Sequence, residues 1–219
     1  MKTLSVCGKN WVLKKYSEDK SIIIKQNFSF DEITSKLLSI RKIEIEEVNT
    51  FLNPSIKNVL PNPYNLIDME KSTLRCAEAI FRREKLGIFG DYDVDGATST
   101  ALLGNYFTEL NFNYEMYIPD RKKDGYGPSI KSFKELIDKK VKLIFTVDCG
   151  TLSFDAINYA TEKKVDVIVL DHHQSEVKLP NAFSVVNPNR LDDKLMDSFQ
   201  FYKYPIKFLV LNFFLILKL

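Results

Sequence analysis

The chain has 219 residues, of which 45% are hydrophobic, enough for one substantial domain and a smaller N-terminal piece. With 31 basic and 29 acidic residues its net charge is only +2, which excludes the overall basic character of many nucleic-acid-binding proteins, so any basic surface is local. Three cysteines without a C-x-x-C spacing argue against a disulfide framework and a structural zinc site.

Residues 1–70 are predicted to be an N-terminal extension of packing or docking elements without chemistry of their own. No apolar run follows the N-terminal methionine, so we expect no signal peptide and a protein of the reducing cytoplasm. Proline-containing segments at 53–54 and 61–63 break the chain. The predicted elements are a short strand or loop over 6–13 and helices over 30–40 and 44–52.

After this extension, strands and helices alternate along the chain. Short apolar runs predict the strands, and helical spacing of apolar side chains predicts the helices. The alternation indicates an α/β fold, with a mostly parallel sheet and helices on both faces. The predicted strands cover residues 86–91, 114–119, 143–148 and 165–171, and the predicted helices cover 68–83, 97–110, 129–140 and 154–164.

Polar side chains follow the end of each predicted strand. Because ligands of open α/β sheets bind beyond the carboxyl ends of the strands, we expect these side chains to share one crevice. Alternate residues of an extended backbone share a face, so the three carboxylates after the first strand are expected to point the same way. The strand ends are Asp91, Asp93 and Asp95; Asp120 and Arg121; Asp148; and Asp171, His172 and His173.

Carboxylates combined with imidazole favour manganese or magnesium, whereas a zinc site would need more histidine or cysteine. Two such cations about 3.5 to 4 Å apart can activate a water molecule and stabilise an in-line displacement at phosphorus. Other interpretations fit less well. A calcium-binding EF-hand loop starting at Asp91 would need Glu where Leu102 stands, and a plain solvated turn ignores the other strand ends. Cys149 could be a thiol nucleophile, but nearby acids would raise its pKa.

The loop at residues 119–127 combines cations, two glycines and an aromatic ring. Arg121 and the neighbouring lysines could bind phosphate, and Tyr126 could stack on a base. The alternative is a solvated turn without a ligand. We favour the binding interpretation because the loop follows one of the strands that end at the predicted crevice.

Five motifs together resemble the DHH phosphoesterase superfamily, above all its RecJ branch of single-strand-specific 5′-to-3′ DNA exonucleases. The resemblance covers about residues 4 to 190. The motifs are Gly90-Asp91-Tyr92-Asp93-Val94-Asp95-Gly96, Asp124-Gly125-Tyr126-Gly127, Thr146-Val147-Asp148-Cys149-Gly150, Asp171-His172-His173 and Asn187-Pro188-Asn189.

The resemblance implies a two-metal hydrolase that uses Mn²⁺ or Mg²⁺ to remove nucleotides from single-stranded DNA in repair and recombination. It also implies single-stranded DNA as partner, together with repair or single-strand-binding proteins. By motif position it implies metal ligands at Asp93, Asp95, Asp148 and His172, with Asp148 bridging. It implies catalytic residues Asp91 and His173, beside the metals or facing the phosphate, and a substrate contact at Arg121. The loop itself adds Tyr126 as the second predicted substrate contact.

Residues 191–219 depart from this family, whose members continue with another metal-binding Asp and an OB-fold. The apolar run at 208–217 is too short to span a bilayer. We therefore expect an incomplete DHH domain over 71–190, followed by a tail that is out of frame or, alternatively, a core-packing helix or strand. The alternative functions are a DHH phosphodiesterase acting on short oligonucleotides or cyclic dinucleotides, and an inactive RecJ remnant.

Overall fold

The computed structural model describes residues 5–55, 62–193 and 210. The chain divides into two compact units, Met1–Leu60 and Pro61–Leu219. The sequence predicts a division near residue 70, ten residues later. In the structure the 3-10 turn Pro63–Asn65 already contacts the next helix and belongs with the second unit.

The first unit is helical. Its elements are α1 (Glu18–Phe28), α2 (Glu32–Ile40), a 3-10 turn (Ile45–Glu47) and α3 (Val48–Leu52). Ser17 begins α1 by accepting a hydrogen bond from the Lys20 amide, as side-chain oxygens at helix N-caps do. A small core of Ile24, Leu38, Ile43 and Val48 joins these elements. Helix α1 was not predicted from the sequence.

The second unit contains a five-stranded, all-parallel sheet with strand order β2-β1-β3-β4-β5. The central strands β1 and β3 are buried at every residue, which matches the nearly continuous apolar sequence of strands covered on both faces. The predicted strands are confirmed in position, and one further strand, β5, joins the edge. The strands are β1 (Leu86–Gly90), β2 (Tyr114–Tyr117), β3 (Leu143–Val147), β4 (Asp166–Leu170) and β5 (Ser184–Val186).

Helices cover both faces of this sheet, which confirms the predicted α/β class. Apolar side chains of α4 and α5 pack on one face, around Phe107 and Phe145. Side chains of α6 and α7 pack on the other face, around Phe89 and Phe133. The helices are α4 (Met69–Phe81), α5 (Val94–Glu109), α6 (Ile130–Asp138) and α7 (Phe154–Glu162).

A buried ion-pair cluster lies at the amino ends of the strands. Arg75 of α4 is 8% exposed, and its Nε donates to Oδ2 of Asp166 at the start of β4, over 2.7 Å. Its Nη2 donates to Oε2 of Glu84, just before β1, over 2.7 Å. Two carboxylates thus bracket one buried guanidinium at this edge of the sheet.

In the described part of the chain, no helix combines the length and apolarity that a membrane span needs. Of the tail, the structure describes residues 191–193 and Val210, and Val210 is buried in the core on the α4 and α5 side. The predictions for the rest of the tail lie outside the described residues.

Candidate metal centre at the carboxyl ends of the strands

Three buried carboxylates stand side by side where the central strands end. Gly90 of β1 pairs with Val147 of β3, and Val147 pairs with Leu170 of β4. The next residue on each strand is an aspartate: Asp91, Asp148 and Asp171. Each of the three is at most 2% exposed. The parallel register therefore delivers the predicted row of acids to one edge of the sheet.

Asp93 caps helix α5, and the extended backbone stops there. Its Oδ1 accepts a hydrogen bond from the Gly96 amide over 2.9 Å. The expectation that Asp91, Asp93 and Asp95 alternate along an extended chain is therefore wrong beyond Asp93, because α5 begins at Val94 and Asp95 lies in its first turn. A Cβ on Gly96 would lie 2.5 Å from the Asp91 carbonyl oxygen, so this close approach requires glycine.

Two groups of potential metal ligands share one carboxylate. Ligand atoms of Asp91, Asp93 and Asp148 lie within 4.8 Å of one another, and the same holds for Asp148, His172 and His173. Asp148 belongs to both groups. It also adopts a left-handed backbone conformation, with φ of 62°, which aspartate tolerates better than most residues. Asp95 is in neither group.

The loop at residues 171–173, here called the DHH loop, is held by the carboxylate of Asp171. Its Oδ1 accepts hydrogen bonds from the amides of His172 and His173, over 2.7 and 3.1 Å, and lies 2.8 Å from His173 Nδ1. Its Oδ2 accepts from the Thr151 amide over 3.0 Å. Burial alone would raise the pKa of Asp171, but these hydrogen bonds outweigh it and lower the pKa to about 2.

The contact between Asp171 and His173 also changes the pKa of the histidine. The hydrogen bond with Asp171 raises the pKa of His173 to about 9, so His173 carries a positive charge at neutral pH. The sequence motif contains Asp171 but predicts no separate role for it. Its position directly before the two histidines, at the end of a buried strand, was the available signal.

The pKa values of the remaining carboxylates are shifted in different directions. Burial raises the pKa of Asp148 and of Asp91. The Gly96 amide lowers the pKa of Asp93. His172 Nε2 lies 3.0 Å from Asp148 Oδ1 and this contact raises the pKa of His172. The site thus concentrates negative charge on two carboxylates that burial makes unfavourable without a cation.

The donor set fits Mn²⁺ or Mg²⁺. Among the described residues, Asp148 Oδ1 is a buried carboxylate oxygen that makes no hydrogen bond of regular geometry, even with His172 at 3.0 Å. A buried carboxylate oxygen with so few hydrogen bonds is costly to leave charged, and a cation beside it would offset that cost. Three carboxylates and the imidazole of His172, a set rich in oxygen, are ligands that these divalent cations accept.

Two asparagines after β5 support the DHH loop from behind. Asn187 Nδ2 donates to Thr151 Oγ1 over 2.8 Å and to the His173 carbonyl over 2.9 Å. Asn189 Nδ2 donates to the His172 carbonyl. The sequence predicts no role for these asparagines beyond the family resemblance, because no local pattern shows that β5 brings them to this edge.

The predicted substrate contacts lie on the His173 side of the site. The Arg121 guanidinium carbon is 5.5 Å from the centroid of the Tyr92 ring. Tyr92 meets Tyr126 edge to face, with centroids 6.4 Å apart, and Tyr126 meets His173 in the same way at 6.0 Å. The structure therefore connects the loop carrying Arg121 and Tyr126 to the DHH loop through ring contacts.

Cys149, the alternative nucleophile, is unsuited to that role. The thiol is buried, and burial together with the surrounding aspartates raises its pKa well above the usual value. Only a thiolate attacks efficiently. The geometry therefore argues against thiol chemistry at this edge.

The family model described as DHH family, N-terminal domain, matches residues 85–198, just over half of the chain. The chain belongs to the DHH family. Within it, the chain is 31% identical over 181 residues to the single-stranded-DNA-specific exonuclease RecJ of Bacillus subtilis, covering 82% of this chain and 23% of that protein. It is 36% identical over 178 residues to RecJ of Haemophilus influenzae, covering 81% of this chain and 30% of that protein.

Solved structures of RecJ are also similar to this chain. A crystal structure of exonuclease RecJ bound to manganese aligns with a TM-score of 0.58 at 29% identity, over 67% of this chain and 37% of that one. RecJ from Thermus thermophilus in complex with Mn²⁺ aligns with a TM-score of 0.70 at 22% identity, over 94% of this chain and 28% of that one, and shows the shared fold. The chain thus spans about a quarter of the length of the curated relatives cited here.

Proposed function

We propose that this chain supplies the DHH part of a metal-dependent 5′-to-3′ exonuclease for single-stranded DNA. The observation that carries the proposal is Asp148, the buried carboxylate that two adjacent ligand groups share. The names of the RecJ relatives support the substrate. DNA repair and recombination, with other repair or single-strand-binding proteins as partners, are the corresponding processes, and the cytoplasm is the corresponding location.

We propose that Asp93, Asp148 and His172 hold Mn²⁺ or Mg²⁺, with Asp91 and His173 beside the metals or facing the phosphate. When bound, such cations activate water and stabilise charge on the reacting phosphate. Manganese in the related RecJ structure supports this assignment. Asp95 stays a predicted ligand, which would have to reach the site from the first turn of α5.

The remaining site residues orient the histidines of the DHH loop or bind the phosphate and base of the substrate. Asp171 fixes both histidines of the DHH loop and keeps His173 protonated, so His173 can donate a hydrogen bond to a phosphate oxygen. Within the described part of the chain Arg121 forms no ion pair, and its guanidinium lies over the Tyr92 ring, which leaves it able to bind phosphate. Tyr126 offers an exposed ring to a base.

The test is release of mononucleotides from labelled single-stranded DNA by the purified chain in Mn²⁺. We expect Asp148→Asn to reduce the rate at least about a hundredfold, because it removes the shared ligand. Asp138→Asn, at an exposed aspartate at the end of α6, is the matched control and should retain full activity.

Substrates labelled at either end separate the alternatives. Release from the 5′ end of long single strands supports the exonuclease, whereas preference for dinucleotides or cyclic dinucleotides would indicate the phosphodiesterase alternative. A folded chain that hydrolyses none of these substrates would refute the proposal for this chain and favour an inactive remnant.

A further inference from the structure

Strand β5 is the last strand of the described sheet, so one side of its backbone faces no further strand there. Side chains bind both backbone groups of its middle residue, Val185. The N–H donates to Asp68 Oδ2 over 3.0 Å, and the C=O accepts from Arg190 Nη1 over 2.7 Å. The same Nη1 donates to Asp68 Oδ2 over 2.9 Å. An ion pair between Asp68 and Arg190 therefore takes the place of a neighbouring strand at this edge.

Asp68 makes these contacts instead of the usual ones of its position. It directly precedes α4, where aspartate normally accepts a hydrogen bond from an amide of the first helical turn. Asp68 makes no such bond to the described start of α4, and its backbone is left-handed, with φ of 64°. Few residues other than glycine adopt this conformation. The local structure thus directs the Asp68 carboxylate to β5 and leaves the helix without a side-chain cap.

Arg190 closes the segment 185–190 on itself. Its side chain, only 8% exposed, reaches back to the Val185 carbonyl, and its own amide donates to the Asn187 carbonyl over 3.2 Å. Asp192 accepts two further hydrogen bonds from the guanidinium, over 2.9 Å from Nε and 2.7 Å from Nη2. A planar guanidinium held by several acceptors keeps one orientation. One buried side chain thus ties both ends of the segment together.

The two asparagines inside this segment hold the DHH loop. Asn187 donates to the His173 carbonyl and Asn189 donates to the His172 carbonyl. Asn187 Oδ1 also accepts from the Asn189 amide over 2.8 Å, so the two side chains are oriented together. A shift of the segment would therefore move both donors, and with them the backbone that carries the two histidines.

We propose that Asp68 and Arg190 are positioning residues of the metal centre, because their ion pair fixes the segment that holds both histidines of the DHH loop. The proposal rests on the proposed function and deepens it. Neither residue belongs to the two ligand groups. Both act through the asparagines, and the chemistry stays with the ligands.

Hydrogen exchange in the metal-free full chain measures this positioning directly. The amides of His172 and His173 donate to Asp171, and their exchange reports how often the DHH loop opens. We expect Arg190→Met to speed this exchange about tenfold, because hydrogen bonds to a charged group are lost. Asp68→Asn keeps the shape and an acceptor oxygen but not the charge, and should speed it about threefold. If Arg190→Met does not fold, Asp68→Asn decides the question.

Arg75→Met is the matched control. The Arg75 side chain is also 8% exposed and lies between two carboxylates, but at the amino ends of the strands. Its loss should leave exchange of the DHH loop within about twofold of wild type, because this loop opens locally.

Affinity for Mn²⁺, measured by titration calorimetry, connects the loop to the metal centre. Arg190→Met should weaken binding about tenfold, as is typical for residues that orient a metal ligand, whereas Arg75→Met should keep the wild-type affinity. A merely structural role would lower stability in both variants without separating their affinities.

Unchanged exchange in both Arg190→Met and Asp68→Asn, equal changes in the two arginine variants, or an unchanged Mn²⁺ affinity despite faster exchange would overturn the proposal. Faster exchange in Arg190→Met, in a protein whose wild type binds no Mn²⁺, would support the positioning of the loop and refute the proposed function instead.

Discussion

The two edges of the sheet treat buried charge in opposite ways. At the amino edge, one buried guanidinium, Arg75, lies 2.7 Å from each of two carboxylates. At the carboxyl edge, burial raises the pKa values of Asp91 and Asp148, and the neighbouring side chains of opposite character are the imidazoles of His172 and His173. The carboxylates of the first arrangement have a cation within the protein, whereas Asp91 and Asp148 need added positive charge. The amino edge therefore holds a stabilising ion pair, whereas the carboxyl edge of the same sheet is suited to bind a ligand.

The largest expected effect concerns metal-linked stability. At a Mn²⁺ concentration a hundred times the dissociation constant, binding should raise the free energy of unfolding by about 2.7 kcal/mol. Asp148→Asn should remove most of this increase and leave the metal-free chain at least as stable as wild type, because a carboxylate with a raised pKa is lost. Urea unfolding with and without Mn²⁺ measures both quantities.

Asp166→Asn is the control from the amino edge. It should lower the stability of the metal-free chain but keep the full increase caused by Mn²⁺. An equal loss of the Mn²⁺ effect in both variants would show that the two edges do not differ as described.

The next effect concerns the amino edge itself. Arg75→Met should lower the free energy of unfolding by about 2 to 3 kcal/mol, somewhat below the value of about 3 to 5 for fully buried pairs, because Asp166 is 43% exposed. Arg82→Met removes a cation that is itself 59% exposed and should cost less than about 1 kcal/mol. Similar losses in the two variants, measured by urea unfolding, would contradict a special role of the buried cluster.

The smallest expected effect concerns the ion pair between Asp171 and His173 at the carboxyl edge. Asp171→Asn should lower the free energy of unfolding of the metal-free chain by about 2 kcal/mol near pH 5 to 6. The folded-state pKa of Asp171 is lowered to about 2, so its contribution is present above the ordinary value of 3.8 and is lost as the pH falls towards 2.

The partner titrates in the other direction. The folded-state pKa of His173 is raised to about 9, so its contribution is full below the ordinary value of 6.5 and disappears as the pH rises through 9. The stability difference between wild type and Asp171→Asn should therefore shrink on both sides of pH 5 to 6. A difference that does not vary with pH would exclude the ion pair as its source.

The strand ends of the site could be predicted from the sequence because each is a local pattern. Apolar runs end in Asp91, Asp148 and Asp171, and parallel topology brings such ends together. The position of Asp95 could not be predicted in this way. It depends on Asp93, whose hydrogen bond to Gly96 starts the helix earlier than the apolar spacing indicates.

Helix α1, strand β5 and the contact between Arg75 and Asp166 could not be predicted from the sequence, each for its own physical reason. Helix α1 contains three consecutive isoleucines, Ile22 to Ile24, which hide its amphipathic spacing, although Ser17 and the acids after it are a helix-start signal. Strand β5 has three residues, too few for a pattern. The contact of Arg75 with Asp166 joins residues 91 positions apart, which no local rule detects.

The left-handed backbone at Asp148 limits which substitutions separate folding from chemistry. Most side chains strain such a backbone, so their introduction would damage the fold and the site together. Asparagine tolerates the conformation and matches the shape of aspartate, but it lacks the charge. A change from aspartate to asparagine at position 148 could therefore remove the catalytic activity during evolution while the domain stays folded and able to bind.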